Sequence, residues 1–189
     1  MKHSQTISYI SIAVIVISLF FIGTKLTGFA TTDTGIVNVT IESSASIIFQ
    51  TALLDLGNGT VVPSQTATVD SESGNAQWTG TQRTGELILE NNGNVNVSLV
   101  LKSDKNAAAF IGGTSPSFKL KVSNNESGSC GSIATFSSYA EVTTSDQSAC
   151  TNFGYGPDQD SIKIDAQLTI NDDATGIKTS TITATATAI

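Results

Sequence analysis

GELILENNGNVNVSLVLKS, running from Gly85 to Ser103, alternates apolar and polar residues on both sides of a break rich in Asn and Gly. Leu87 and Leu89 alternate with Glu86, Ile88 and Glu90; Val95, Val97, Leu99 and Leu101 alternate with Asn94, Asn96, Ser98 and Val100. A period of two predicts two strands, each with one buried face. Helical geometry would scatter the same side chains around its axis. The intervening NNGN is expected to supply the positive-φ positions of a tight reversal, making a strand–turn–strand unit.

The same period recurs upstream. Ile36, Val37, Val39 and Ile41 predict a first strand, loosened by Ser43, Ser44 and Ala45 before Ile47, Ile48 and Phe49, so one bulged strand or two fit the pattern. Leu53, Leu54 and Leu56 run into Gly57-Asn58-Gly59 and then Val61 and Val62, a hairpin pattern that Pro63 ends or places at an edge. Thr66 to Val69 predict a short strand, and Asp70 to Thr84 a polar loop holding Trp78.

Downstream, Ala107 to Ile111 leads into turns at Gly112-Gly113 and Ser115-Pro116. Phe118, Leu120 and Val122 alternate with Lys119 and Lys121, a half-buried strand with its lysines outward. Asn124 to Gly156 is irregular, with a short strand expected within Tyr139 to Thr143. Ile162, Ile164, Ala166, Leu168 and Ile170 alternate with Lys163, Asp165, Gln167 and Thr169. In the last stretch Thr179, Thr181, Thr183, Thr185 and Thr187 share one face, and Ile182, Ala184, Ala186 and Ala188 the other. About nine short strands with turn signals between them, and no amphipathic helix after Lys25, predict an all-β fold. The expected architecture is an antiparallel β-sandwich, jelly-roll or immunoglobulin-like, with a closed barrel as the alternative.

The amino-terminal stretch is of another kind. Lys2 and His3 precede an apolar core from Ile10 to Ile22, and no charged residue stands between His3 and Lys25. This predicts a targeting helix. A cut after Ala30 would place Gly28 and Ala30 at the small-residue positions of a signal peptide, while the uncharged span Ser4 to Thr24 is also long enough for an uncleaved membrane anchor. Residues 31–189 are then expected to form one extracellular or cell-surface domain, touching the membrane only through the preceding segment.

Composition narrows the partners. Without the two lysines that precede Ala30, the chain carries seven basic and sixteen acidic residues, a net charge of −9. A phosphate backbone is bound by clustered Lys and Arg, so this balance argues against nucleic acid. The two cysteines, Cys130 and Cys150, are expected to form one disulfide, since an even pair in an exported chain most simply pairs. Their spacing fits neither a zinc site nor a CxxC redox motif. Asn38, Asn58, Asn96 and Asn125 each begin an Asn-x-Ser/Thr sequon and are candidate glycosylation sites.

Catalytic signals are sparse. The single histidine is His3, so residues 31–189 hold no histidine for a nucleophilic triad or a general base. Carboxylates for glycosidase chemistry would have to come from Glu86 and Glu90, or from Asp158, Asp160 and Asp165; as a solvated strand face and an acidic turn the same residues need no catalytic role. Asp158-Gln159-Asp160 and Asn171-Asp172-Asp173 bring oxygen ligands close in sequence, a pattern open to calcium although no EF-hand spacing accompanies it. No other cofactor is indicated. Trp78, Phe153 and Tyr155 fall in expected loops, where rings can stack on sugars if exposed or plug the end of a sandwich if buried.

A strand ending in N-x-G-N and followed by V-x-V-x-L, as in Glu90 to Leu99, resembles the turn of immunoglobulin-like surface modules. It also resembles the TasA/camelysin group of secreted matrix-fibre proteins and their archaeal pilus relatives, with strand order similar over Ile36 to Lys102. That resemblance implies a signal peptide, one jelly-roll domain and assembly of identical copies by donor strands. The Cys130–Cys150 loop departs from the group. By analogy, residues 31–41, with Ile36, Val37, Val39 and Ile41 at their apolar positions, are the candidate donor; read without the analogy, they are the domain's own first strand. The function expected is therefore a non-catalytic structural subunit of a surface filament or layer, with an adhesin or carbohydrate-binding module, using surface glycans as ligand, as the alternative.

Overall fold

The computed structural model describes residues 35–189, so the expected targeting helix and the cut after Ala30 lie outside the described residues. Twelve strands and one helical turn follow in order: β1 Ile47–Thr51, β2 Gly57–Val61, β3 Thr66–Asp70, β4 Asn75–Ala76, β5 Trp78–Gln82, β6 Leu87–Asn91, β7 Val97–Ser103, α1 Ala107–Phe110, β8 Ser117–Asn124, β9 Ala140–Glu141, β10 Gln147–Phe153, β11 Ser161–Asn171 and β12 Ile182–Ala188. Every strand pairing is antiparallel. The described residues are thus almost entirely β.

The alternation in Gly85–Ser103 survives residue by residue: Leu87, Leu89 and Asn91 are buried on β6, and Val97, Leu99, Leu101 and Ser103 on β7. The two strands do not pair with each other. β6 lies between β1 and β11 in a seven-stranded sheet, whereas β7 is the middle of a three-stranded sheet, β10-β7-β12. NNGN is thus an arch that carries the chain from one sheet to the other, not a tight reversal. None of its residues takes a positive φ. Gly93 is needed for another reason: a Cβ there would lie 2.3 Å from the Ser44 carbonyl oxygen. Inside the arch the Asn91 side chain, fully buried, donates to the carbonyls of Val95 (3.0 Å) and Phe153 (3.2 Å) and accepts from the Gly93 N–H (3.1 Å). It satisfies backbone groups that a sheet ladder would otherwise serve.

β11 is the spine of the larger sheet. One side pairs with β8 from Ile162 to Thr169; the other pairs with β6 over Ser161–Ile164 and with β3 over Gln167–Asn171. Its inward side chains Ile162, Ile164, Ala166 and Leu168 join Leu89, Leu120 and Val122 from the same sheet and Val97, Leu99 and Leu101 from the smaller one in a single core. The two sheets therefore face each other across it, in a sandwich-like arrangement.

Three local expectations are overturned. Residues 35–46 form no strand. Gly57-Asn58-Gly59 is not a turn; it belongs to β2, which pairs with β5 as a separate ribbon. Asp70–Thr84 is not a plain loop, because it contains β4 and β5. Glycine in β2 and β5 reflects close approach: a Cβ at Gly59 would lie 2.7 Å from the Trp78 indole, and one at Gly80 2.3 Å from the Asn58 carbonyl oxygen.

Cys130 and Cys150 form a disulfide, with 5.8 Å between their Cα atoms. Residues 130–135 run beside β10, with the N–H groups of Gly131, Ala134 and Thr135 donating to the carbonyls of Asn152, Ala149 and Ser148. The disulfide loop thereby covers the outer edge of β10. Among the described residues no helix is long and apolar enough to cross a membrane.

Candidate assembly surface

Gly35 to Ile41 reads as a strand in every respect except its structure. Val37, Val39 and Ile41 would share one face and Ile36, Asn38 and Thr40 the other. Yet Ile36, Val37, Val39 and Ile41 are 92%, 96%, 77% and 82% exposed. Four large β-branched side chains in seven residues, all in water, form the densest run of exposed apolar side chains among the described residues.

Among the described residues, the smaller sheet ends at β12, whose one neighbour is β7. Register runs unbroken from Ile182 opposite Ser103 to Ala188 opposite Val97. Its outward threonines are exposed, and inward Ile182, Ala184 and Ala186 are only half-buried. Beside it opens an apolar trough of about 250 Å³ lined by Phe49, Leu54, Leu87, Phe118, Leu168 and Ile182. The trough shares Leu54, Leu56, Phe110 and Leu168 with a wider cleft of about 710 Å³ that is also lined by Trp78, Asp172 and Lys178. The larger sheet's inner face is thus covered less fully beyond β12 than under β7.

Loops at this end are held by carboxylates. Asp104 accepts from the Thr181 N–H and the Ser180 hydroxyl, both at 2.7 Å, fixing the start of β12. Those donors, Thr181 first, hold its carboxyl below the ordinary range. Asp173 accepts from the Thr114 N–H (3.0 Å) and hydroxyl (2.8 Å), with the same downward effect. Asp172 accepts from the Ser64 N–H at 2.6 Å. Adjacent Asp172 and Asp173 therefore serve different loops, and no group of three acidic, cysteine or histidine residues fit for a metal occurs among the described residues.

The other proposed carboxylates are also dispersed. Glu86 and Glu90 are four positions apart on an extended chain, about 13 Å, beyond the ~5–9.5 Å of glycosidase pairs. Asp165 sits apart from Asp158 and Asp160, on the outer face of β11 beneath the β3–β4 turn, and is 4% exposed. The Ser71 hydroxyl donates to it at 3.0 Å and accepts from the Ala166 N–H at 3.1 Å. Burial pushes the Asp165 carboxyl up, against the Ser71 bond; nearby Glu72 pushes the same way. Glu72 itself is held low by its hydrogen bond from Lys121, whose ammonium lies 5.1 Å from the Tyr139 ring centroid; the Tyr139 hydroxyl, raised by burial and by Glu72, donates to that carboxylate at 3.1 Å. This cluster pins the β3–β4 turn to the sheet.

The three rings do not come together. Phe153 is fully buried in the core, Tyr155 is 47% exposed beyond β10, and Trp78 lies on β5 over Gly59, with its Nε1 buried and without a partner among the described residues. Of the sequons, Asn38, Asn58 and Asn125 are exposed and Asn96 is half-buried. Sequence reasoning missed the free edge of β12 and the trough beside it. The uncharged Thr/Ala alternation of residues 182–188 identified a strand but carried no sign of which side it would leave open.

No protein-family model, curated protein or solved structure matches the chain.

Proposed function

We propose that this chain is a non-catalytic, exported structural subunit of a cell-surface filament or layer, in which residues 36–41 of one copy pair with a sheet of the next. One observation carries the reading: a strand-patterned, β-branched segment is left in water ahead of a domain that has a buried core of its own. Burying Val37, Val39 and Ile41 against a neighbour would contribute roughly 5–9 kcal/mol before the cost of association is deducted. Main-chain bonds to an existing strand would add specificity of register. The likeness of Glu90 to Leu99 to secreted matrix-fibre proteins supports the same reading, as do the amino-terminal apolar segment and the disulfide, which is compatible with an oxidising compartment. The facing sheets are read as an open jelly-roll-like sandwich.

Electron microscopy of the exported protein at increasing concentration tests it. Regular filaments are expected, and both deletion of residues 36–41 and the milder Val39→Asp should abolish them while leaving the thermal unfolding of the domain unchanged. Particles that stay monomeric at all concentrations would refute the filament reading. Unfolding of the domain on deletion would make the segment an ordinary strand.

A further inference from the structure

We infer that the acceptor for residues 35–41 is the outer edge of β12 in a second copy of this chain, an assignment that rests on the filament reading above. The edges among the described residues are few. β4 and β9 are two residues long. β10 is covered by residues 130–135. β1 has five residues and a register break between Phe49 and Thr51, the kind of irregularity that blunts an edge. β2 and β5 form a ribbon of five-residue strands with glycine at three positions, Gly57, Gly59 and Gly80.

β12 differs on every count. It offers seven residues in unbroken register, none charged and none proline or glycine. Edges of that kind are the ones that recruit another strand. Its seven residues match the seven of Gly35 to Ile41 in length, each about 23 Å when extended. The trough completes the fit. Phe49, Leu87 and Leu168 line it beside Ile182, where a strand added to β12 would set alternate side chains. Val37, Val39 and Ile41 supply three apolar side chains on one face of such a strand, and Ile36, Asn38 and Thr40 would then join the exposed face already formed by Thr183, Thr185 and Thr187. The smaller sheet would grow to four strands and cover the larger one more fully.

Disulfide trapping in the full exported protein tests the assignment. Thr40→Cys is combined in turn with Thr183→Cys, Thr185→Cys or Thr187→Cys, and separately with Gln50→Cys on the exposed side of β1. The native pair Cys130–Cys150 is joined and buried, so it does not compete. At least one β12 position should give a ladder of covalent multimers on non-reducing gels from filaments, and Gln50→Cys none. Filaments that yield no ladder at any of the three β12 positions, or a ladder only through Gln50→Cys, would overturn the β12 assignment while leaving the filament reading intact. A cross-link confined to monomers would show the segment folding onto its own copy. Absence of filaments in the unsubstituted protein would sink both.

Discussion

Ser71 and Asp165 show how a single buried hydroxyl can organise a carboxylate. Ser71 accepts a hydrogen bond from the Ala166 N–H and donates one to Asp165, so both partners depend on one oxygen. Ser71→Ala should cost about 1–3 kcal/mol in denaturant unfolding, because it strands a backbone N–H and a buried carboxyl together. Asp165→Asn should act in the opposite direction. The folded pKa of Asp165 is raised above its unfolded value, so the folded state pays for ionisation once the pH exceeds the unfolded pKa, and the cost is complete above the folded one. The asparagine variant keeps an oxygen for Ser71 and carries no charge. Its stability should equal that of the parent in acid, below the ordinary aspartate range, and exceed it at neutral pH; unfolding curves at the two pH values measure the difference. A variant less stable at pH 7 than the parent would mean that the charged form is favoured by Lys121 and Lys163 more than burial opposes it.

Strands were legible in the sequence wherever one face meets the core. Leu87 to Leu101, Phe118 to Val122 and Ile162 to Ile170 needed only the period of two, since burial follows it directly. Partners were not legible. Asn and Gly between two strands favour a hairpin, but Asn91 turns inward to bond Val95 and Phe153, and that long-range bond makes an arch. Gly57 and Gly59 look like a turn because their role, admitting the Thr79–Thr81 backbone and the Trp78 ring, lies about twenty residues away. The candidate assembly surface was half legible: residues 36–41 stood out by pattern, whereas a free edge is a property of neighbours. Two expectations belong to elements. Replacing Cys130 and Cys150 together by serine should lower stability by about 3 kcal/mol, as loop closure over 20 residues implies, and the loss should be seen first as faster amide exchange at Gly131, Ala134 and Thr135. At the start of β12, Asp104 has a depressed folded pKa, so its grip is complete above the unfolded pKa and lost as pH falls through the folded one. Exchange of the Thr181 amide, corrected for its intrinsic pH dependence, should therefore quicken in acid; an unchanged rate would mean that the Asp104 bond contributes nothing to holding the strand.

For the whole molecule, charge would set the conditions of the proposed assembly. The sixteen acidic residues outnumber seven basic ones beyond Ala30, so copies repel at neutral pH. Added salt shortens the screening length from ~30 Å at 0.01 M to ~8 Å at 0.15 M, and the rate of filament growth should rise across that range. Growth that slows with salt would point to contacts made by ion pairs instead of apolar side chains. The arch at Asn91–Asn96 has a bearing on how the chain reaches its native state. Because β6 and β7 do not pair, β6 has only β1 as an early partner and must wait for β11 on its other side, and β7 must wait for β10 and β12, all encoded much later. Closing such distant pairs is slow, on the ms–s scale for sandwiches of this kind. While a ribosome is still making the first 160 residues, the strand that joins β3, β6 and β8 does not yet exist. A nascent chain halted before Ser161 should accordingly remain open to protease where the finished protein resists it. Under the export proposed above, such a delay would keep the polypeptide unfolded while it is threaded through a narrow pore.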